Sequence, residues 1–150
     1  MQLFLMRHGD ATHGVPDVSR ELSVLCRKQL SLTANKHCAQ IANVQIVLTS
    51  KLTRAKQSAN ILMTEVALTC PRQIVDFLLP QAEVSSVERY LQSTAYQSII
   101  MVGHLPLLGL LIDYFTGSTD ASLGTASLAS LSLEYPAQGL GTLHWIHYAT

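Results

Sequence analysis

The sequence is poor in charge, and neither sign is in excess. Only 13% of its 150 residues are charged, about half the usual share for a soluble domain. Ten Lys and Arg balance ten Asp and Glu, which excludes a broad basic surface for nucleic acid or an anionic membrane. Hydrophobic residues make up 48%, which argues against disorder. We expect one domain over residues 1–150, with a single apolar core and only local anion binding.

Cysteines and long apolar runs are also scarce. The three cysteines, an odd number without metal-ligand spacing, are Cys26, Cys38 and Cys70. They favour reduced thiols and a cytoplasmic location, and the first two are expected to be small core residues of one helix. The longest apolar run, residues 99–112, is shorter than the ~20 residues of a membrane helix. Residues 3–6 are too few for an export signal, so neither a membrane segment nor a signal is expected.

The hydrophobic pattern predicts strands that alternate with helices. Short apolar or β-branched runs predict strands at residues 2–6, 44–49, 73–77 and 98–102. Helical spacing predicts helices at about residues 24–42, 54–63, 84–95 and 106–115. Alternation beyond Gly124 predicts a terminal β-hairpin that turns at Gly139 and Gly141. This order indicates an α/β layered domain with a mostly parallel sheet.

Residues typical of helix ends support these boundaries. Ser23 and Thr53 are expected to cap the first two helices through their hydroxyl groups. Pro106 suits a first helical turn, where its missing N–H is not needed, and Gly117 suits a helix end. Leu25 is among the residues that recur at helical spacing in the first helix, so it is expected to face the core.

Polar side chains follow three of the predicted strands. Residues 7–9 read Arg-His-Gly, residues 49–54 read Thr-Ser-Lys-Leu-Thr-Arg, and residues 103–106 read Gly-His-Leu-Pro. The carboxyl ends of parallel strands meet at one edge of a sheet, where such folds bind ligands. Guanidinium groups, imidazoles, hydroxyls and helix N-termini together suit phosphate. Arg54 is unfavourably placed for a cation in a first helical turn, which indicates that a ligand anion requires it there.

These segments resemble those of the histidine phosphatase (phosphoglycerate mutase-like) superfamily. Residues 5–10 (Leu-Met-Arg-His-Gly-Asp) match its Arg-His-Gly signature. Residues 49–59 are similar to its Ser-x-x-x-Arg-Ala-x-Gln-Thr-Ala segment, and the Gly-His pair at residues 103–104 follows a strand as in that family. The small size, Arg-His-Gly-Asp-Ala at residues 7–11 and His-Leu-Pro-Leu at residues 104–107 are similar to the SixA group, the phosphohistidine phosphatases of bacteria.

The resemblance implies a fold and a chemistry. The fold is three-layer α/β/α with a mostly parallel mixed sheet, minimal because the lid insertions of larger relatives are missing. A neutral His8 attacks phosphorus and becomes a covalent phosphohistidine that water later hydrolyses. Arg7 and Arg54 grip the phosphate oxygens, and His104, when protonated, adds a third positive donor. No metal and no cofactor are implied.

Four further positions are expected to bind phosphate or substrate: Gly9, Arg20, Ser50 and Leu105. Gly9 would let the backbone approach His8 closely and help to aim its ring. Arg20 belongs to a segment that departs from the Arg-Pro-Leu-Thr-x-x-Gly of relatives, since residues 20–26 read Arg-Glu-Leu-Ser-Val-Leu-Cys.

The usual general acid of the superfamily is replaced. Many relatives carry an acidic residue before a Leu-x-Pro segment, and here Phe77 occupies that place. Asp10, Asp76 and Glu83 are candidates to substitute for it. A protein phosphohistidine needs a strong acid less, because its imidazole leaves more easily than an alkoxide.

Three functions stay open. The first is a phosphohistidine phosphatase that acts, as a monomer, on a histidine-phosphorylated protein such as the phosphotransfer domain of a sensor kinase. The second keeps the chemistry but uses a small phosphomonoester or a mutase substrate. The phenylalanine at position 77 argues against this function, because it replaces the acid. The third is a non-catalytic phosphoprotein-binding module. The presence of His8 and His104 argues against it, because a pure binder does not need a nucleophile.

The remaining histidines are expected to be structural or solvated. His144 and His147 lie three residues apart on a predicted strand and therefore point to opposite faces, which does not favour a shared metal. His13 and His37 are interpreted in the same way.

Overall fold

The computed structural model describes residues 1–9, 16–119 and 121–149. Its strands are β1 (Gln2–Arg7), β2 (Ile46–Thr49), β3 (Arg72–Ile74), β4 (Ser98–Gly103), β5 (Leu128–Leu133) and β6 (Gly141–His147). Its α-helices are α1 (Val24–Lys36), α2 (Cys38–Ile41), α3 (Thr53–Val66), α4 (Val84–Ser93) and α5 (Leu107–Thr116). Two short 3₁₀ helices span Asp17–Ser19 and Asp76–Leu78.

The strands form one six-stranded mixed sheet in the order β3-β2-β4-β1-β5-β6. The pairs β3·β2, β2·β4 and β4·β1 are parallel, and β5 runs antiparallel to both β1 and β6. The predicted terminal hairpin is therefore confirmed, and Gly139 in its turn takes a positive φ of 75°, which favours glycine.

Two apolar clusters, one on each face of the sheet, produce three layers. Leu3, Leu5 and the buried faces of α4 and α5 form one cluster, which includes Phe115 at 0% exposure. Phe4 and Met6, which alternate with them along β1, pack instead with α1, α2 and α3. Successive side chains of a strand point to opposite faces, so β1 contributes to both clusters. The predicted three-layer α/β/α fold with a mostly parallel mixed sheet is confirmed.

The strand register brings the polar motifs together. Arg7 is opposite Gly103, and Thr49 is opposite Val102. β1, β2 and β4 thus end at the same level, and the residues that follow them gather at one edge of the sheet. That edge is where ligands bind in open α/β sheets.

The first predicted helix differs from the observed one. Helix α1 ends at Lys36, because His37 leaves the helical region with φ −108° and ψ 19°, and α2 begins at Cys38. Leu25 is 65% exposed, so the prediction that it faces the core is wrong; its neighbour Cys26, 2% exposed, packs there instead. Cys38 is only partly buried, and on α2 rather than the first helix.

Two other boundaries are corrected. Ser23 caps α1 as predicted, because its side chain accepts a hydrogen bond from the Cys26 N–H. Thr53 is the first residue of α3 rather than its cap, and Ser50 Oγ accepts from the Leu52 N–H instead. The predicted strand at residues 73–77 is shorter, because the chain turns into the 3₁₀ helix after Val75 donates to the Thr49 carbonyl.

The other helix predictions at α4 and α5 are confirmed, and Gly117 ends α5 with φ 75°. Over the described ranges, we find no helix with both the length and the apolar character needed to cross a bilayer.

Gly9 is needed for packing against α1. A Cβ at this position would lie 2.9 Å from Leu22 Cδ2, 3.0 Å from Cys26 Cβ and 3.2 Å from Leu30 Cδ1. We expect Gly9→Ala to lower the free energy of unfolding by about 1–3 kcal/mol through overpacking. Urea denaturation of the parent and the variant measures this difference in the free energy of unfolding.

The matched control for this prediction is Gly109→Ala on α5, whose added Cβ would lie 3.7 Å from Leu105 Cδ2, an ordinary van der Waals contact. It is expected to keep or raise stability, since alanine favours a helix over glycine. Equal stability of the two variants would contradict the packing role of Gly9.

Candidate active site

His8 follows β1, and its ring is held in one tautomer. Its Nδ1 lies 2.6 Å from the Gly9 carbonyl oxygen, which only accepts, so Nδ1 carries the hydrogen. Nε2 then has a free lone pair, which accepts from Arg54 Nε–H at 3.4 Å. Burial lowers the pKa of His8 to about 4, and the charges of Arg54 and Arg7 act in the same direction. The imidazole is therefore neutral at pH 7.

The backbone around His8 is tied to two neighbouring elements. The His8 N–H donates to the Gly103 carbonyl at 3.1 Å, and the Gly9 N–H donates to Ser58 Oγ at 3.1 Å. Ser58 Oγ in turn donates to the Arg54 carbonyl at 2.7 Å. Ser58 thereby couples the position of His8 to the first turns of α3.

His104 follows β4 and is 1% exposed. Its ring centroid lies 4.8 Å from that of His8, with the planes at 49°. Its Nε2 lies 2.5 Å from Ser50 Oγ, while its buried Nδ1 has no hydrogen-bond partner in the described part of the chain. Burial, together with the charges of His8 and Arg54, lowers the pKa of His104 to about 3. The structure therefore favours a neutral His104 at pH 7, not the protonated form expected to add a third positive donor.

The charges of both predicted arginines, Arg54 and Arg7, act on the two imidazoles and lower the pKa of each. Arg7 is partly buried and donates from NH1 to the Leu123 carbonyl at 2.9 Å. Arg54 is 7% exposed, so the first turn of α3 points its guanidinium into the protein rather than to solvent. The structure therefore brings together His8, His104, Arg7 and Arg54, as predicted from the three motifs.

Asp17 is a site residue that the sequence did not reveal. Its Oδ1 lies 3.2 Å from Arg54 NH1 and 3.2 Å from Arg20 NH1, and its carbonyl accepts from Arg54 NH1 at 2.9 Å. Desolvation acts to raise the pKa of the Asp17 carboxyl, but Arg54 and Arg20 outweigh it and hold that pKa below its usual value. Asp17 is thus a carboxylate that partly balances the cations of the site.

The other predicted binding residues lie near this centre. Arg20 reaches it through Asp17, and Ser50 through its contact with His104. Leu105 is partly buried and lines a surface groove with Pro106 and Leu123.

None of the described acid candidates is seen in contact with the two imidazoles. Phe77 packs on Tyr90, with ring centroids 4.9 Å apart. Asp76 is exposed, and exposed Glu83 accepts a hydrogen bond from Ser85 Oγ at 3.3 Å. Asp10 lies outside the described residues.

The remaining histidines lie elsewhere. His144 Nε2 is 2.8 Å from Ser132 Oγ on the sheet surface. His37 stacks on Trp145 at 4.2 Å and meets the edge of His147 at 4.8 Å. His13 lies outside the described residues. Within the described ranges, no three His, Cys, Asp or Glu side chains are grouped as a metal site.

The chemistry of this cluster follows from its geometry. A neutral imidazole presents a lone pair at His8 Nε2, and a guanidinium N–H points at the same atom. The buried Nδ1 of His104 faces no protein partner in the described structure. A tetrahedral anion at His8 Nε2 would meet cationic donors that are already in place.

Comparison with known proteins shows the family to which the chain belongs. No protein-family model matches the chain. The Escherichia coli K-12 protein called phosphohistidine phosphatase SixA is 31% identical over an alignment of 150 positions, which covers 97% of this chain and 92% of that protein. The structure of the protein histidine phosphatase SixA complexed with tungstate is also 31% identical, with a TM-score of 0.90 over 99% of this chain and 97% of that one.

More distant structures share the fold alone. The alpha-ribazole phosphatase from Shigella flexneri is 18% identical, with a TM-score of 0.70 over 96% of this chain and 95% of that one. Identity above 30% across nearly the whole of both chains shows that this chain and the Escherichia coli SixA belong to one family. The chain belongs to the SixA phosphohistidine phosphatase family, within the histidine phosphatase superfamily.

Proposed function

We propose that this protein removes phosphate from phosphohistidine on another protein, with His8 as the nucleophile. The observation that carries the proposal is the state of His8: its Nδ1 is bound to the Gly9 carbonyl, and its Nε2 lone pair faces the Nε–H of Arg54, which is 7% exposed. A neutral imidazole with this orientation needs no base to activate it. The name of the Escherichia coli relative, phosphohistidine phosphatase, supports the same reaction.

In the first step, His8 Nε2 attacks the phosphorus of the substrate. A new N–P bond forms at His8 as the N–P bond of the substrate phosphohistidine breaks, and the departing imidazole takes a proton from solvent. Arg7 and Arg54 bind the phosphoryl oxygens, on which charge is spread in the transition state. Arg54 is already oriented for this, because its Nε–H points at the attacking atom.

His104 contributes a further donor to the same oxygens. Ser50 Oγ accepts from the Leu52 N–H, and we propose that its hydroxyl donates to His104 Nε2, 2.5 Å away. His104 Nδ1 then carries the ring hydrogen. A neutral N–H donor without another partner in the described structure is in this way available to phosphate. The proposal does not require a protonated His104.

In the second step, water attacks the phosphohistidine on His8 and releases inorganic phosphate. The His8–phosphorus bond breaks and the imidazole returns with its lone pair at Nε2. Its Nδ1–H stays on the Gly9 carbonyl throughout, which prevents the ring from turning away. We propose that neither step uses a metal or another cofactor.

Phe77 favours a phosphohistidine substrate over a phosphomonoester. Its ring packs on Tyr90 where many relatives have an acid, so no carboxyl at this position can protonate an alkoxide leaving group. An imidazole leaving group does not depend on such an acid. We propose a histidine-phosphorylated phosphotransfer domain as the substrate, and a monomeric, cytoplasmic, single-domain enzyme over residues 1–150.

The pKa of His8 is directly measurable. With burial lowering it to about 4, we expect the His8 ring protons to titrate near pH 4 in an NMR experiment without anions. The imidazole then stays neutral, and competent for attack, when the pH falls to 5. Spectra of His8→Ala assign the resonance. A midpoint near the ordinary value of 6.5 would contradict the buried, neutral nucleophile.

The activity is tested with a phosphotransfer domain radiolabelled on its histidine. We expect the label to be released as inorganic phosphate in stoichiometric amount, without added metal. A panel of sugar and nucleotide phosphates, tested in parallel, distinguishes the alternative phosphomonoesterase or mutase. Label that stays on the phosphotransfer domain in the presence of enzyme would rule out the proposed function.

A further inference from the structure

The contacts of Arg54 indicate that Asp17 orients its guanidinium group. The side chain of Arg54 has two edges, and they face different partners. Its NH1 and NH2 atoms lie 3.2 Å from Oδ1 and 3.4 Å from Oδ2 of Asp17, so the carboxylate spans the outer edge. Its Nε–H faces His8 Nε2.

Asp17 is itself held from two sides. Arg20 NH1 lies 3.2 Å from the same carboxylate, and the Asp17 carbonyl accepts from Arg54 NH1 at 2.9 Å. Its side chain is 63% exposed, whereas that of Arg54 is 8% exposed. The carboxylate therefore lies on the solvent side of the Arg54 guanidinium.

We propose that Asp17 is a positioning residue of the phosphate pocket, one that orients Arg54 toward His8 and weakens the hold of the pocket on free phosphate. This inference rests on the proposed function. Orientation follows from the contact geometry, because a guanidinium fixed at its outer edge can turn only its Nε side to the attacking atom. The weaker hold follows from charge, because a carboxylate beside two of the three arginines repels an incoming anion.

The two effects act in opposite directions on two measurable quantities. Without the carboxylate, Arg54 keeps the Asp17 backbone carbonyl as its partner at this edge, so its guanidinium is held less firmly toward His8, which slows phosphoryl transfer. Without its negative charge, the pocket becomes more cationic, which tightens the binding of inorganic phosphate. A residue that merely stabilised the local fold would weaken both processes when it was replaced.

The test is Asp17→Asn, which keeps the size of the side chain and removes its charge. We expect kcat for the phosphorylated phosphotransfer domain to fall about tenfold, and the inhibition constant of inorganic phosphate to fall about fivefold. Asp17→Glu, which restores the charge, should return the inhibition constant toward that of the parent. Glu134→Gln, at an exposed carboxylate directly after β5, is the control and should match the parent in both quantities.

The outcomes separate this inference from the proposed function. A parent enzyme that does not dephosphorylate the substrate refutes the proposed function itself. If the parent is active, the inference is overturned when Asp17→Asn fails to bind phosphate more tightly or fails to slow turnover. Thermal melting of each variant confirms that the comparison is made between folded proteins.

Discussion

Replacing His8 with alanine is expected to reduce turnover of a histidine-phosphorylated protein by about four orders of magnitude or more. The imidazole supplies the atom that forms the new bond to phosphorus, and no other nucleophile in the described structure has its lone pair at the same point. The variant should still fold, because His8 is only partly buried and its backbone contacts to Gly103 and Ser58 do not use the side chain.

His144→Ala is the matched control, since it removes an imidazole from the surface of β6 where His144 contacts Ser132. The rate constants come from release of labelled phosphate under single-turnover conditions. Substantial activity in His8→Ala, or a comparable loss in His144→Ala, would remove His8 from the reaction.

Replacing Arg54 with alanine has the second largest expected effect. We expect a loss on the order of 2–4 kcal/mol of transition-state stabilisation, equivalent to about 30- to 1,000-fold in kcat/KM. The guanidinium is almost fully buried and donates toward His8 Nε2, so water cannot replace it easily. Arg54→Lys should recover only part of the loss, because an ammonium group cannot offer paired, planar donors.

Arg89→Ala, at an exposed position on α4, is the control for this variant. Both rates are measured with the same labelled phosphotransfer domain, together with inhibition by inorganic phosphate. Near-parental kcat/KM in Arg54→Ala would contradict the role of this arginine in binding the transferred phosphoryl group.

Much of the fold was predictable because its signals are local. The apolar runs of β1, β2 and β4 are recognisable in the sequence, and each ends where polar motif residues begin. Parallel strands that end at one level necessarily bring those residues together. The gathering of His8, His104, Arg7 and Arg54 could thus be predicted without any knowledge of side-chain contacts.

The errors at α1 have a different cause. Several residues at helical spacing could face the core, and the sequence does not say whether Leu25 or Cys26 does so. The choice depends on Gly9, against which the Cys26 side chain packs closely. The helix break at His37 also involves a distant residue, because the His37 ring stacks on Trp145.

Asp17 could not be found by pattern because its partner lies far along the chain. It stands in a short loop segment without periodicity, and its contact with Arg54 spans 37 positions. The position of Arg54 did indicate that an anion lies nearby, since a cation in a first helical turn is unfavourable without one. That anion was predicted to be a ligand, whereas the structure shows that a carboxylate of the chain itself, that of Asp17, also faces Arg54.

Trapping the phosphoenzyme tests the central claim most directly. The enzyme is mixed with a labelled phosphotransfer domain, quenched in base within one turnover, digested and sequenced by mass spectrometry. We predict one acid-labile phosphoryl group, on the imidazole of His8, that forms and decays at rates compatible with turnover. Phosphate released with no labelled enzyme at any time, or label on a residue other than His8, would contradict the account.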